Sequence, residues 1–122
     1  MNVGRVVVAT PVAEKIAALT ALATPGVIRL EPSISALAAS FGRRALSGWH
    51  ADGDGVMPVT AGVRVEITGD EVTVEIALAV ALGRAIPDVA ADAQRRVADA
   101  LGELGGFTVA AVTILVVDVD QP

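Results

Sequence analysis

Between Val63 and Leu82 the chain reads VRVEITGDEVTVEIALAVAL, and apolar residues fall at every second position on both sides of Gly69 and Asp70. That is the period of a half-buried strand. The Gly-Asp pair suits a two-residue hairpin turn. It sets a register with Thr68 opposite Glu71, Ile67 opposite Val72 and Val65 opposite Val74. Each inward residue then meets an inward residue, a match that a slip of one position would destroy. The same register puts Arg64 across from Glu75 and Glu66 across from Thr73. Two glutamates on paired strands are raw material for acid–base chemistry. Here they sit diagonally and one faces a cation, so the pattern predicts a solvated sheet face. Pairs of opposite charge across strands stabilise such a face by roughly 0.2–1 kcal/mol.

The remaining pattern alternates strands and helices. Arg5 to Ala9, RVVVA, predicts a short strand. Thr10 then suits an N-cap and Pro11 the first helical position, where its missing N–H costs nothing. Val12, Ile16, Leu19 and Ala23 share one face of that helix, and Thr24 to Gly26 end it. Val27 to Leu30 predict a second strand. Ile86 to Gly106 form the clearest helix, with Pro87 at its first position and Asp88 at the positive end of its dipole. Val89, Ala93, Val97, Ala100, Leu101 and Leu104 make its apolar stripe, and Asp92–Arg96 and Arg95–Asp99 are spaced for ion pairs. Gly105 and Gly106 supply a left-handed cap, and Phe107 to Val119 predict a final strand. Within the stretch 33–60, SISALAASFGRRAL suits a short helix with Ile34, Leu37, Ala38 and Phe41 inward, and SGWHADGDGVMPVTAG a mobile loop. The expectation is one α+β domain over residues 1–122. Its small mixed β-sheet carries the two main helices on one face, in the order β-α-β-(variable segment)-β-β-α-β.

Composition narrows the function classes. A chain of 122 residues, 53% hydrophobic but only 2% aromatic, predicts a core of small aliphatic side chains. The absence of cysteine removes disulfides, thiol catalysis and cysteine-based metal sites. Nine basic residues against fourteen acidic ones, a net charge of −5, argue against nucleic acid and anionic lipid as partners. The first residues show no signal-peptide pattern, and the longest apolar run, Ile76 to Leu82, is too short to span a bilayer. A soluble, cytoplasmic protein without direct membrane insertion is expected.

Candidate chemistry is sparse. His50 stands between Trp49 and the pair Asp52 and Asp54 in a glycine-rich stretch, where composition alone defines no geometry. The DGDG run departs from the spacing of a calcium loop, and Asp118 and Asp120 alone do not make a metal site. The single lysine, Lys15, follows no phosphate-binding glycine motif. No catalytic, cofactor-binding or metal residue is therefore assigned. A contact surface is the better candidate. Val74, Ile76, Leu78, Val80 and Leu82 fall on one face of their strand, while the other turns from Thr73 and Glu75 into a row of Ala77, Ala79 and Ala81. Thr113, Leu115 and Val117 share one face of the last strand. A sheet wet on one side alternates more cleanly, so both faces are expected to be covered, the second by the variable segment or by another subunit. Ala77, Ala79, Ala81, Thr113 and Leu115, with Trp49 as an aromatic anchor, form the candidate interface.

TPVAEKIAALTALATPGV near the start, the strand–turn–strand run, the helix with IP, VA, Q, V and L in step, and the closing strand ending in DV together resemble the alkaline shock protein family of bacterial envelope stress response proteins. The resemblance covers about the first quarter and the second half of the chain. It rests on apolar and turn residues, which identify a fold better than a chemistry. It implies a small cytoplasmic α+β domain that forms homo-oligomers and serves envelope homeostasis as a non-enzymatic scaffold or adaptor, reaching the membrane through a membrane-anchored partner. A regulatory subunit of a metabolic enzyme, such as one of lipid synthesis, is the alternative. The resemblance carries no catalytic residues and no cofactor. GWHADGDGVMP has no counterpart in it.

Overall fold

A computed structural model describes residues 3–32 and 59–122. The elements are α1 (Thr10–Leu22), β1 (Val27–Leu30), a 3-10 turn (Val59–Gly62), β2 (Val63–Thr68), β3 (Glu71–Ala81), α2 (Ile86–Glu103) and β4 (Thr108–Asp120). The expected helix within 33–46, with Trp49, His50, Asp52 and Asp54, lies outside the described residues.

β3 is the strand to which the others attach. β4 runs parallel to it along one edge, from the Glu71–Thr108 pair to the Ala81–Asp120 pair. The other edge therefore takes both antiparallel partners in turn, β2 against Glu71 to Ile76 and β1 against Leu78 to Val80. The sheet is mixed, as expected. The hairpin register is the one the alternation dictates, from Thr68–Glu71 through Arg64–Glu75. Gly69 adopts φ +64°, a left-handed conformation that an ordinary side chain resists.

Val72, Val74, Ile76, Leu78 and Val80 point from β3 to one side and are fully buried. Each such aliphatic side chain contributes about 1.5–3 kcal/mol relative to exposure. Both helices cover that side, contributing Val89, Val97 and Leu101 from α2 and four alanines from α1 to one cluster. α1 packs on α2, β1 and β2, whereas α2 also packs on β4. Gly26, at φ +94°, turns the chain from α1 into β1, and a Cβ there would stand 2.7 Å from a Val89 methyl.

Three expectations need correction. Residues 3–9 form no strand, and Val6 and Val7 lie exposed. Strand propensity states only what a residue prefers, and the ladder it needs is not formed with β1 to β4. Thr10 is not the N-cap: Ala9 holds that place, without a side-chain cap, and the helix begins at Thr10. Most consequential, α1 is turned round. It buries Ala13, Ala17, Ala18 and Ala21; of the expected stripe Ile16 packs against the core in part, while Val12 and Leu19 remain 49% and 51% exposed. On a helical wheel the two sets lie opposite each other. Alanine admits α1 close to both α2 and the sheet, which the bulkier stripe would hold apart.

α2 follows the sequence reading more closely. Its buried residues are Val89, Ala93, Val97 and Leu101, and Ala85, one residue earlier than expected, provides the N-cap. Leu104, assigned to the stripe, is 75% exposed because the helix ends at Glu103. There Gly106, at φ +73°, reverses the chain into β4, and the N–H of Phe107 donates to the Leu101 carbonyl. Asp92 accepts from Arg96 at 3.0 Å and from Arg95, while Arg95–Asp99 spans 3.9 Å.

Two outcomes follow from this packing. In urea denaturation, Ala17→Leu lowers stability by about 1–3 kcal/mol through overpacking, whereas Leu19→Gln stays within about 0.5 kcal/mol. The opposite ranking would show that α1 packs by its bulkier face. Hydrogen bonding to Arg96, and then to Arg95, holds the Asp92 carboxyl below its ordinary pKa of 3.8. A depressed acid stabilises the fold above its unfolded pKa and loses that contribution as pH falls through the folded value. The stability curves of the native chain and Asp92→Asn should differ at neutral pH and converge in strong acid. Curves that stay parallel throughout would exclude this linkage.

Candidate functional site

The second face of the sheet starts from the small residues of β3. Register places Glu75 beside Thr113, Ala77 beside Leu115, Ala79 beside Asp118 and Ala81 beside Asp120. Of the predicted interface residues, Ala77 and Ala79 are 1% and 0% exposed, Ala81 and Leu115 half-buried and Thr113 exposed. The structure thus brings five of the six onto one face. Two of them are its floor rather than its surface. Trp49 lies outside the described residues. Val117 falls at an irregularity between the Leu78 and Ala79 pairs, so it does not continue the Thr113–Leu115 row as the sequence predicts.

Arg29 explains why the alanines matter. It is paired with Ala79 on β1, and Ala79 is paired in turn with Asp118 on β4. The guanidinium reaches across the central strand to Asp118 at 2.9 Å and Asp120 at 3.3 Å, and its Nε donates to Glu31. A large side chain at Ala79 would stand in this path. The hydrogen bond to Glu31, and after it the one to Asp120, holds the Arg29 pKa above its ordinary value against the opposing effect of desolvation. The sequence reading missed this bridge, because β1 and β4 are joined through a third strand and no local spacing records it.

Three carboxylates and one guanidinium leave this corner net negative by two. Asp118 and Asp120 also accept from the backbone N–H groups of Val119 and Gln121. These carboxylates are occupied as structural acceptors, and among the described residues no three His, Cys, Asp or Glu side chains are set to hold a metal. No buried side-chain nitrogen or oxygen lacks a partner among them either. Glu66 is exposed and Glu75 half-buried opposite Arg64, the arrangement of a wet sheet face.

A second surface lies on the helical side. Leu19, Ala23, Ala100 and Leu104 line an open groove of about 480 Å³ between the C-terminal ends of α1 and α2, with Arg96 and Glu103 at its rim. The outward turn of α1 continues it with Val12. Aliphatic residues flanked by charges suit protein contact better than small-molecule chemistry, which needs convergent polar groups in a closed cleft. Among the described residues, no helix is long and apolar enough to cross a membrane.

Removing Arg29 tests the bridge. In Arg29→Met the three carboxylates face each other uncompensated, and the C-terminal end of β4 loosens. The Leu82 amide, which donates to the Asp120 carbonyl at 2.8 Å, should then exchange faster with solvent, while β2 amides keep their rates. Unchanged exchange at Leu82 would show that the bridge does not hold β4.

No curated protein sequence matches the chain. Two solved structures share a likeness of shape: a MamM CTD variant in a zinc form, at 10% identity and TM-score 0.47, and another in a manganese form, at 12% and 0.45. The first alignment covers 92% of this chain and 85% of the other, the second 93% and 100%. The profile of the alkaline shock protein 23 family, described as having cell envelope-related function, matches residues 1–121. With its mixed sheet, two-helix layer and hairpin in the expected register, the chain belongs to the alkaline shock protein 23 family.

Proposed function

We propose that this protein is a non-catalytic, self-associating scaffold or adaptor serving envelope stress response and homeostasis. It acts in the cytoplasm and reaches the membrane through a membrane-anchored protein partner. The observation that carries the reading is the inverted packing of α1. A helix that buries alanine and turns Val12 and Leu19 outward leaves bulky apolar side chains where a lone domain has no use for them. Joined to Ala23, Ala100 and Leu104, they give a patch of the kind that binds another macromolecule. The sheet face adds a second surface, with Thr113 exposed and Leu115 half-buried beside the covered Ala77 and Ala79.

Two surfaces on opposite layers suit a scaffold, which holds more than one neighbour at a time. Family membership supports the envelope role, and the occupied carboxylates support a function by contact rather than by turnover.

Sedimentation velocity over a dilution series tests the proposal. The full chain should exceed the monomer mass and dissociate on dilution. Leu19→Glu or Thr113→Arg should weaken association, with circular dichroism unchanged because both positions are exposed. A monomer at every concentration, or recovery from the native bacterium in a stoichiometric complex with a soluble metabolic enzyme and no second copy, would overturn it.

A further inference from the structure

Among the described residues β4 is an edge strand of 13 residues, and from Thr108 to Val117 it carries no charge. An open apolar edge invites a further strand unless something blocks it. Here the blocking is partial. Toward its start, the Val112 carbonyl accepts from Gln94 of α2 at 3.1 Å. Toward its end, Asp118 and Asp120 take the N–H groups of Val119 and Gln121. Between these guarded points lie residues 113–117, TILVV, with no described hydrogen bond on the outer edge.

A matching segment stands idle elsewhere. Arg5 to Ala9, RVVVA, has strong strand propensity and forms no strand. Val6 and Val7 are 93% and 71% exposed. Pro11 has no N–H to pair and limits any strand on its C-terminal side. The segment runs into α1, which packs on β1, β2 and α2.

We infer that residues 5–9 of one copy add as an antiparallel strand to residues 113–117 on the β4 edge of another. Both stretches are five residues long and rich in β-branched side chains. Orientation follows from charge. An antiparallel strand brings Arg5 to the C-terminal end of β4, where Glu31, Asp118 and Asp120 outnumber Arg29. The ladder supplies affinity through main-chain bonds, and Arg5 sets direction. Each copy offers one segment and one edge, so the contact is head-to-tail and lets assembly grow. The inference rests on the self-association proposed above and names the elements that make it.

The chain contains no cysteine, so introduced cysteines report one contact only. Copies carrying Val7→Cys are mixed with copies carrying Leu115→Cys, the central pair of this register, and oxidised, and Val7→Pro is examined by sedimentation. The mixed disulfide should exceed either symmetric one. Val7→Pro, at an exposed position outside any element, should leave circular dichroism unchanged and weaken association at least about tenfold by removing ladder bonds. Association unaltered in Val7→Pro, with no excess of the mixed disulfide, overturns this contact while self-association stands. A native chain that is monomeric at all concentrations overturns both.

Discussion

The domain depends on one strand being paired along both edges and used differently on its two faces. β3 meets β2 and β1 on one side and β4 along its full length on the other. Its inward valines, Ile76 and Leu78 form the centre of the core. Its outward alanines let Arg29 cross from β1 to the carboxylates of β4. Bulk on one face secures the helices, and its absence on the other allows the bridge. Neither face tolerates the residues of the other.

How much of this was legible follows from how local each determinant is. The hairpin register was readable because a two-residue turn and a period of two leave one consistent pairing. α2 was readable for a similar reason: its stripe, its Pro-Asp start and its glycine stop all agree. α1 was misread because alanine serves either a buried or an exposed face, and only the spacing between α1, α2 and the sheet decides between them. The first strand was misread because strand propensity names a residue's preference and not the neighbour it needs. Of the interface prediction, the common face was legible from alternation, but the depth of Ala77 and Ala79 was not. Nor was the bridge over Ala79, because Arg29 is distant in sequence from Asp118 and Asp120.

A mistaken strand and a mistaken helix face turn out to be informative together. The described structure leaves two patterns unsatisfied, one on the helical layer and one at the sheet margin, while its buried side-chain nitrogens and oxygens are all bonded. Such a molecule has settled its internal requirements and presents its remaining apolar residues to others. This agrees with an envelope-related family whose shared pattern consists of apolar and turn positions.

Amide hydrogen exchange, followed residue by residue at low and high protein concentration, addresses the central claim most directly. β3, paired on both edges, should exchange slowest and at the same rate at both concentrations. Amides of residues 113–117 on the free edge of β4 should exchange quickly when dilute and become protected as concentration rises. Rates along β4 that do not change with concentration, or a β3 no better protected than its neighbours, would contradict the account.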